Sequence, residues 1–294
     1  MNIICNYRNN SFVKKLVKNP LISSFIISLN RYSLFTENSY SIEEIIDIIS
    51  FLKKEGKKVI IDLAKIVHED ELKDLESKIL LLDEHQVDYF MYSDFGVHYI
   101  LNKNKLGNKT LLYSNTYLTN TLDTKIYQEK NAMVILSNQI NVDELVKISN
   151  DSYENQIISA FGLALIMYTY RPLLTNYFAY RGQEYSSKKT NYSLQEEFRE
   201  DLYPIIENEN STKIYDFGYY YLFNELKDMN QNADIIISGE LLNDKTYLAV
   251  VNLYLSFIEN QLTEEEAVEK LEQLNINLNK GAYNRKLMLT KGGN

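Results

Sequence analysis

The chain has 294 residues, of which 45% are apolar, so it is long enough to bury a full hydrophobic core as one large domain. Its formal net charge of −9 disfavours unassisted binding to a phosphate backbone, because that affinity comes from Lys and Arg side chains that neutralise phosphates. The single cysteine, Cys5, cannot form an internal disulfide and cannot supply the ligands of an iron–sulfur cluster or of a thiolate zinc site.

The sequence shows neither a membrane anchor nor a secretory signal. The longest apolar run, residues 157–170, is shorter than the ~20 residues that a membrane span requires and contains Ser159 and Gly162, so we expect a buried strand there. The start of the chain does not combine a basic end with an apolar stretch, which is the pattern of secretory signals. We therefore predict a cytoplasmic protein without membrane association.

Helical and extended patterns alternate along the chain. A helix is predicted to begin at Ser41, where Ser41 and Glu44 form a capping-box pair, and to end at Gly56. Helical periodicity returns at residues 69–86. Short runs rich in β-branched and aromatic residues predict strands at residues 25–29, 59–63, 87–92, Thr110–Tyr113, 133–136, 157–161 and Asp234–Ile237.

This alternation is typical of a parallel sheet covered by helices. We predict a (β/α) barrel of the TIM type, complete or irregular, that forms a single domain over residues 1–294. The polar stretch at residues 181–209 is expected to be an irregular excursion over the barrel mouth. A further helix is predicted at residues 247–259. Residues 263–294 are predicted to be a last helix, capped by Thr263 and Glu266, followed by a tail.

In such barrels the functional groups lie at the carboxyl ends of the strands. Asp94 is prominent there, because it makes a sharp polar exit from an apolar strand in the segment Ser93-Asp94-Phe95-Gly96. Each strand-end residue is also what a helix N-cap or a turn would use, so only their convergence on one face indicates a site. The polar residues at these positions are Asn30, Arg31, Asp62, Asp94, Asn115, Asn138 and Gln139.

No single segment of this chain is diagnostic, but the order and spacing of several segments together are specific enough to compare with known families. They lie at residues 41–62, 87–96, 112–120, 134–145, 161–172, 196–204 and 233–254. From residue 41 to residue 258 this order resembles the collagenase-like peptidase family U32, which includes branches that hydroxylate tRNA and ubiquinone. The resemblance implies catalytic roles for Asp62, Asp94, Tyr168 and Arg171. Substrate contacts are expected from Asn30, Arg31, Asn115, Asn120, Asn138, Gln139 and Glu240.

The chain departs from the family pattern at the positions that carry a histidine and two cysteines in other members. Phe161, Leu165 and Pro172 stand there, and neither leucine nor proline can ligate iron. We therefore expect no cofactor bound by this chain and no metal site. Polar positions differ as well: an Arg-Glu pair of the family is replaced by Asn138 and Gln139, and Glu-Gly-Arg by Ser238-Gly239-Glu240.

These departures resemble a short, cysteine-poor branch that occurs beside a longer, cysteine-bearing relative in the group that forms 5-hydroxyuridine at the tRNA wobble position. The resemblance implies a hydroxylation subunit, a prephenate-like dicarboxylate as hydroxyl donor, the cysteine-bearing relative as partner, and tRNA bound through the complex. Arg171 would clamp the donor by bidentate hydrogen bonds, or else form a structural ion pair. A collagenase-like peptidase and a non-catalytic scaffold or regulatory paralogue stay open as alternatives.

Overall fold

The computed structural model describes residues 1–35, 38–114, 118–186, 192–198, 200–208 and 211–284. The strands in these residues are β1 (Ile3–Asn6), β2 (Ile22–Leu29), β3 (Ser39–Tyr40), β4 (Lys58–Leu63), β5 (Tyr89–Tyr92), β6 (Thr110–Tyr113), β7 (Met133–Ile135), β8 (Gln156–Thr169), β9 (Tyr192–Leu194), β10 (Tyr203–Asn208), β11 (Ser211–Tyr221) and β12 (Asp234–Ile237). The helices are α1 (Asn10–Lys14), α2 (Ile42–Lys54), α3 (Leu72–Glu84), α4 (Phe95–Lys103), α5 (Thr121–Lys130), α6 (Val142–Asp151), α7 (Leu173–Tyr180), α8 (Asp244–Ile258) and α9 (Glu264–Glu272).

Eight of the described strands form a closed parallel barrel in the order β1, β2, β4, β5, β6, β7, β8 and β12, and β12 pairs back onto β1. The predicted TIM-like barrel is therefore confirmed. Each strand sends one apolar side chain into the interior: Ile4, Ile26, Ile60, Met91, Leu111, Ile135, Ile157 and Ile236. Their strand neighbours point outward, since the side-chain period of a strand is two residues, and pack in a second core against the helices.

Local sequence signals account for the ends of several elements. Ser41 Oγ accepts the backbone N–H of Glu44 (3.3 Å), and the Glu44 carboxylate accepts the N–H of Ser41 (2.8 Å), so the predicted capping box is formed. Thr263 and Glu266 repeat this arrangement at α9. β6 and β12 have the predicted bounds. The helix predicted at residues 69–86 is divided into a 3₁₀ turn at Glu69–Glu71 and α3.

The largest correction concerns the strand predicted at residues 157–161. The observed strand, β8, continues to residue 169 and so covers nearly all of the apolar run at residues 157–170. Its outer half leaves the barrel, and β8 pairs antiparallel with β11 from Phe161 opposite Tyr221 to Thr169 opposite Thr212. The expectation that residues 181–209 are irregular is wrong in part, because β9 and β10 lie there and extend this sheet beyond β11. The backbone edge of β11 pairs with β10, and β10 in turn pairs with β9, so each strand supplies the hydrogen bonds of the next.

Helix α7 is held on the extended sheet by a carboxylate from another strand. Pro172 precedes the helix and provides no side-chain cap. Instead, the buried Glu207 of β10 accepts the backbone N–H groups of Leu174 (2.6 Å) and Thr175 (3.1 Å), which satisfies N–H groups that a helix start otherwise leaves without partners. No helix in the described residues combines the length and the apolar character needed to cross a bilayer.

Glu207→Ala is expected to lower the free energy of unfolding by about 1–3 kcal/mol, because it leaves buried N–H groups at the start of α7 without an acceptor. Urea unfolding followed by circular dichroism measures this loss. Glu197→Ala, at an exposed position before β10, is the matched control and should change little. Equal midpoints for the two variants would show that Glu207 does not hold the helix.

Candidate functional site at the barrel mouth

Four charged side chains are buried together at the barrel mouth, the end of the barrel where the carboxyl ends of its strands lie. Asp62 comes from β4 and Glu240 follows β12, while Arg8 follows β1 and Lys213 comes from β11. Each is at most 7% exposed, and Asp62 is completely buried. Two carboxylates and two cations give a cluster with no net charge, which is the form in which charges are tolerated inside proteins.

Asp62 fixes the loop that follows β2. Its Oδ2 accepts the backbone N–H of Phe35 (2.9 Å), and its Oδ1 accepts the N–H of Ala64 (2.8 Å). Burial raises the pKa of Asp62 from its ordinary value of 3.8 to about 6, although the backbone hydrogen bonds and the charge of Lys213 act in the opposite direction. Lys213 fixes the same loop from above, because its Nζ donates to the carbonyl oxygen of Leu34.

Glu240 lies on the other side of the mouth. Its Oε1 accepts the hydroxyl of Tyr215 (3.0 Å), and its backbone oxygen accepts the hydroxyl of Tyr219 (2.7 Å). Burial raises the pKa of Glu240, whereas the charges of Lys213 and Arg8 and the Tyr215 hydrogen bond lower it. Arg8 donates to the carbonyl oxygen of Gly239, and its guanidinium carbon lies 5.3 Å from the ring centre of Tyr247.

The described side chains leave little free space in the mouth. One cavity, between Asn6, Arg8, Phe35 and Glu240, has a volume of about 10 Å³. A second, lined by Tyr113, Ser159, Tyr220 and Ser238 among others, has about 20 Å³. Each volume accommodates about one water molecule. Each of these two cavities between the described side chains is smaller than a dicarboxylate.

A second charged group lies beside the mouth, around the buried carboxylate of Glu71. Its Oε1 accepts Lys65 Nζ (3.3 Å) and Arg31 Nε (3.1 Å), and its Oε2 accepts the N–H of His68 (3.0 Å). Burial tends to raise the pKa of Glu71, but the hydrogen bond from His68 and the charge of Lys65 outweigh it, and the pKa is lowered. The carboxylate is therefore ionised and ties the loop after β4 to Arg31.

Aromatic rings cover this second group. The ring of Tyr170 lies 4.2 Å from the His68 ring and 5.9 Å from the Tyr168 ring, centre to centre. Lys65 Nζ lies 5.1 Å from the centre of the Tyr170 ring. Burial raises the pKa of Tyr168 above its ordinary value, so this hydroxyl stays protonated near neutral pH and can only donate or accept a hydrogen bond.

The residues predicted from the sequence lie in three kinds of environment. Asp62 and Glu240 belong to the buried cluster, while Tyr168 and Arg31 lie at the neighbouring group around Glu71. Asp94 and Asn120 are helix caps: Asp94 Oδ1 accepts the N–H of Gly96 (2.6 Å), and Asn120 Oδ1 accepts that of Asp123 (2.9 Å). These two positions match the alternative that strand-end polar residues serve the backbone.

The remaining predicted residues are dispersed. Asn138 is buried and its Oδ1 accepts Gln139 Nε2 (3.2 Å), whereas Gln139 is exposed. Asn30 is exposed and donates its backbone N–H to Tyr40 (2.9 Å). Arg171 is exposed just before α7. Asn115 lies outside the described residues.

The sequence prediction did not include Arg8, Lys213, Tyr215, Lys65 or Glu71. Arg8 follows the first strand, so the strand-end rule that selected Asp62 would also have selected Arg8. No local sequence pattern marks Lys213 as a mouth residue. It reaches the mouth because β11 pairs with β8, where Lys213 lies opposite Tyr168.

The geometry offers no thiol nucleophile for proteolysis. Cys5 is buried in the core between barrel and helices, and burial raises the pKa of its thiol to about 12 despite a hydrogen bond with Tyr247, so the reactive thiolate is scarce. His85 ends α3, and His98 lies on α4 beside Asn102. Within the described part of the chain, no group of three or more His, Cys, Asp and Glu side chains is arranged to hold a metal ion.

The fold and the mouth together define a (β/α)-barrel protein with a buried, self-neutralised charge cluster at the carboxyl ends of its strands. The profile of peptidase family U32 matches residues 24–292, and the chain belongs to this family.

Individual proteins and one solved structure are also similar to this chain. The tRNA hydroxylation protein P2 of Bacillus subtilis (strain 168) is 25% identical over 274 residues, which cover 87% of this chain and 89% of that protein. The uncharacterized protease MJ0090 of Methanocaldococcus jannaschii is 25% identical over 119 residues, 40% of this chain and 29% of that protein. Among solved structures, the U32 peptidase Mk0906 matches with a TM-score of 0.52 and 12% identity over 81% of this chain and 92% of that chain, a likeness of fold.

Asp62→Asn is expected to change how stability depends on pH. Because the folded pKa of Asp62 is raised to about 6, the folded state binds this proton more tightly than the unfolded state. The bound proton therefore adds to the free energy of unfolding at low pH. This stabilisation, about 3 kcal/mol in total, is lost as pH rises through about 6. Urea unfolding between pH 4 and pH 7 should therefore show the wild type losing stability relative to the variant.

Asp47→Asn, an exposed substitution on α2, serves as the control and should follow the wild-type pH profile. A difference between wild type and Asp62→Asn that is constant over this range would mean that Asp62 is ionised throughout and that its burial does not raise the pKa.

Proposed function

We propose that this protein is a subunit of the machinery that forms 5-hydroxyuridine at the wobble position of tRNA. The observation that carries the proposal is the nearly end-to-end match with a protein named for tRNA hydroxylation, which covers 87% of this chain and 89% of that relative. A match over both whole chains supports a shared role better than a match over part of one chain. The packed barrel mouth supports the further statement that this chain acts within a complex.

An iron–sulfur cluster does not fit the residues of this chain. At the positions that correspond to the family's histidine and cysteines, Phe161 is completely buried and stacks on the Tyr219 ring at 5.2 Å, and Leu165 packs beside the barrel interior. Neither side chain has a donor atom for iron. We therefore assign the cluster to a cysteine-bearing relative that forms a hetero-oligomer with this chain.

The hydroxyl donor, a prephenate-like dicarboxylate, is assigned to the same partner. Arg8 and Lys213 are the cations of the mouth, but both are committed to backbone carbonyl oxygens and to the buried carboxylates. The cavities there hold about one water molecule each. Arg171 is an exposed cation with the fork geometry for a carboxylate or a phosphate.

Deleting the gene is expected to abolish 5-hydroxyuridine and its derivatives in tRNA, because the complex loses a required subunit. Mass spectrometry of nuclease digests of tRNA measures the change, and a plasmid copy of the wild-type gene should restore the modified nucleosides. The proposal fails if the deletion strain retains wild-type levels of these nucleosides. Co-purification of the tagged protein tests the partner separately and should recover a cysteine-bearing family member.

A second candidate, a non-catalytic scaffold or regulatory subunit, is favoured by the closed mouth. The two candidates differ in what the predicted catalytic residues do. Complementation with folded Asp94→Asn, Tyr168→Phe and Arg171→Gln variants separates them. A scaffold retains wobble hydroxyuridine in all three strains, whereas a chain that contributes to the chemistry loses it in at least one. The peptidase alternative is supported by the family's name, and hydrolysis of gelatin by the pure protein, lost in these variants, would favour it.

A further inference from the structure

Helix α7 and its two flanking residues form an exposed aromatic and basic surface. Tyr177 is 57% exposed and Tyr180 is 89% exposed, and Arg171 and Arg181 at the two ends of the helix are both exposed. We call these four residues the α7 surface. Tyrosines three positions apart are neighbours on a helix, about 5–6 Å apart at Cβ. The exposed rings of Tyr177 and Tyr180 therefore lie side by side on the surface of α7, where a ligand can contact both.

Helix α7 packs on the sheet mainly through its other side, although the Tyr177 ring also contacts the Phe178 ring edge-to-face at 5.5 Å between ring centres. Leu174 is buried, and the Phe178 ring packs against the rings of Tyr185 (6.1 Å) and Tyr192 (5.4 Å). Glu207 anchors the first turn from below. The helix is thus held by its inner side, and the ring of Tyr180 adds no contact that the fold requires.

The charge of this segment is opposite to that of the chain. Residues 155–183 contain Arg171 and Arg181 but no Asp or Glu, whereas the whole chain has a net charge of −9. Glu207 is buried and bonded to the backbone of α7, and Glu184 follows the turn after Arg181. The α7 surface is therefore locally positive on an acidic protein, and this favours a polyanionic ligand.

We infer that the α7 surface binds unpaired nucleotides of an RNA loop. Unpaired bases stack on exposed aromatic rings, and arginines pair with the adjacent phosphates. Under the proposed function, on which this identification of the RNA rests, the loop is the anticodon loop of tRNA. The positive charge of the segment favours RNA over an uncharged protein surface, and binding of a protein partner instead is an outcome of the test below.

The position of the α7 surface fits this assignment. Arg171 directly follows Tyr170, whose hydroxyl donates to the carbonyl oxygen of Ile66 in the loop after β4. That contact joins the start of α7 to the barrel mouth and to the exposed ring of His68. RNA on the α7 surface would therefore lie beside the mouth, where a partner that faces the mouth would also reach it.

Ultraviolet crosslinking in intact cells tests the inference on the full chain within whatever complex it forms. The tagged wild-type protein should carry nucleotide adducts on residues 170–181, identified by mass spectrometry. The double variant Tyr177→Ala/Tyr180→Ala should recover at least about fivefold less RNA, since each lost stacking contact weakens binding. Tyr99→Ala, which removes a 69% exposed tyrosine on α4, is the matched control and should recover wild-type amounts.

The inference is overturned if wild-type protein recovers no RNA, if the double variant recovers as much as the wild type, or if residues 170–181 crosslink to a protein instead. Urea midpoints equal to that of the wild type exclude unfolding of the variants. Arg171→Gln/Arg181→Gln should also reduce RNA recovery, with Lys54→Gln on α2 as the control for charge.

The tRNA digests separate this inference from the proposed function. If deletion abolishes hydroxyuridine while the Tyr177→Ala/Tyr180→Ala strain keeps both its RNA and its hydroxyuridine, the function stands and the surface is wrong. If deletion leaves hydroxyuridine unchanged while the double variant loses its RNA, the surface stands and the function is wrong.

Discussion

The pairing of β11 along the outer half of β8 is the constraint on which the site depends. Within the barrel, β8 pairs with β7 and β12 only up to Phe161, and its backbone continues as a strand to Thr169. Those outer N–H and C=O groups require partners, because unpaired polar backbone is costly when it is removed from water. β11 provides them, and in doing so it brings Lys213, Tyr215 and Tyr219 over the barrel mouth and gives β10 an edge to pair with. Glu207 and α7 then follow from β10.

This arrangement places the two kinds of charge in different settings. In the mouth, cations and carboxylates are buried in equal numbers and tie loops to the barrel, so they contribute order and leave little capacity to attract a charged ligand. Beside α7, Arg171 and Arg181 are exposed, and the helix itself carries no Asp or Glu. This part of the surface therefore differs in charge from the chain as a whole, whose net charge is −9.

Membership in a family named for peptidases does not determine the chemistry, because function depends on the site and not on the fold. A peptidase needs an activated nucleophile, and the one cysteine of this chain is enclosed in the core with a raised pKa. The geometry of this chain therefore gives no support to proteolysis by a thiol.

The sequence by itself determined the fold class and the positions of most barrel strands. Capping boxes at Ser41 and Thr263 and the β-branched runs of β6 and β12 are local patterns, and the hydrogen bonds that they specify are local too. The strand-end rule also selected Asp62 and, together with the family resemblance, Glu240, which do meet in the mouth. Asp94 and Asn120 cap helices through N–H groups two and three residues further along the chain, which is a local arrangement as well. Tertiary structure alone decided that Lys213 is buried and that Glu207 anchors α7. Those outcomes rest on strand pairings between distant segments, and a side chain's burial there depends on which strand lies beside it, which no local pattern encodes.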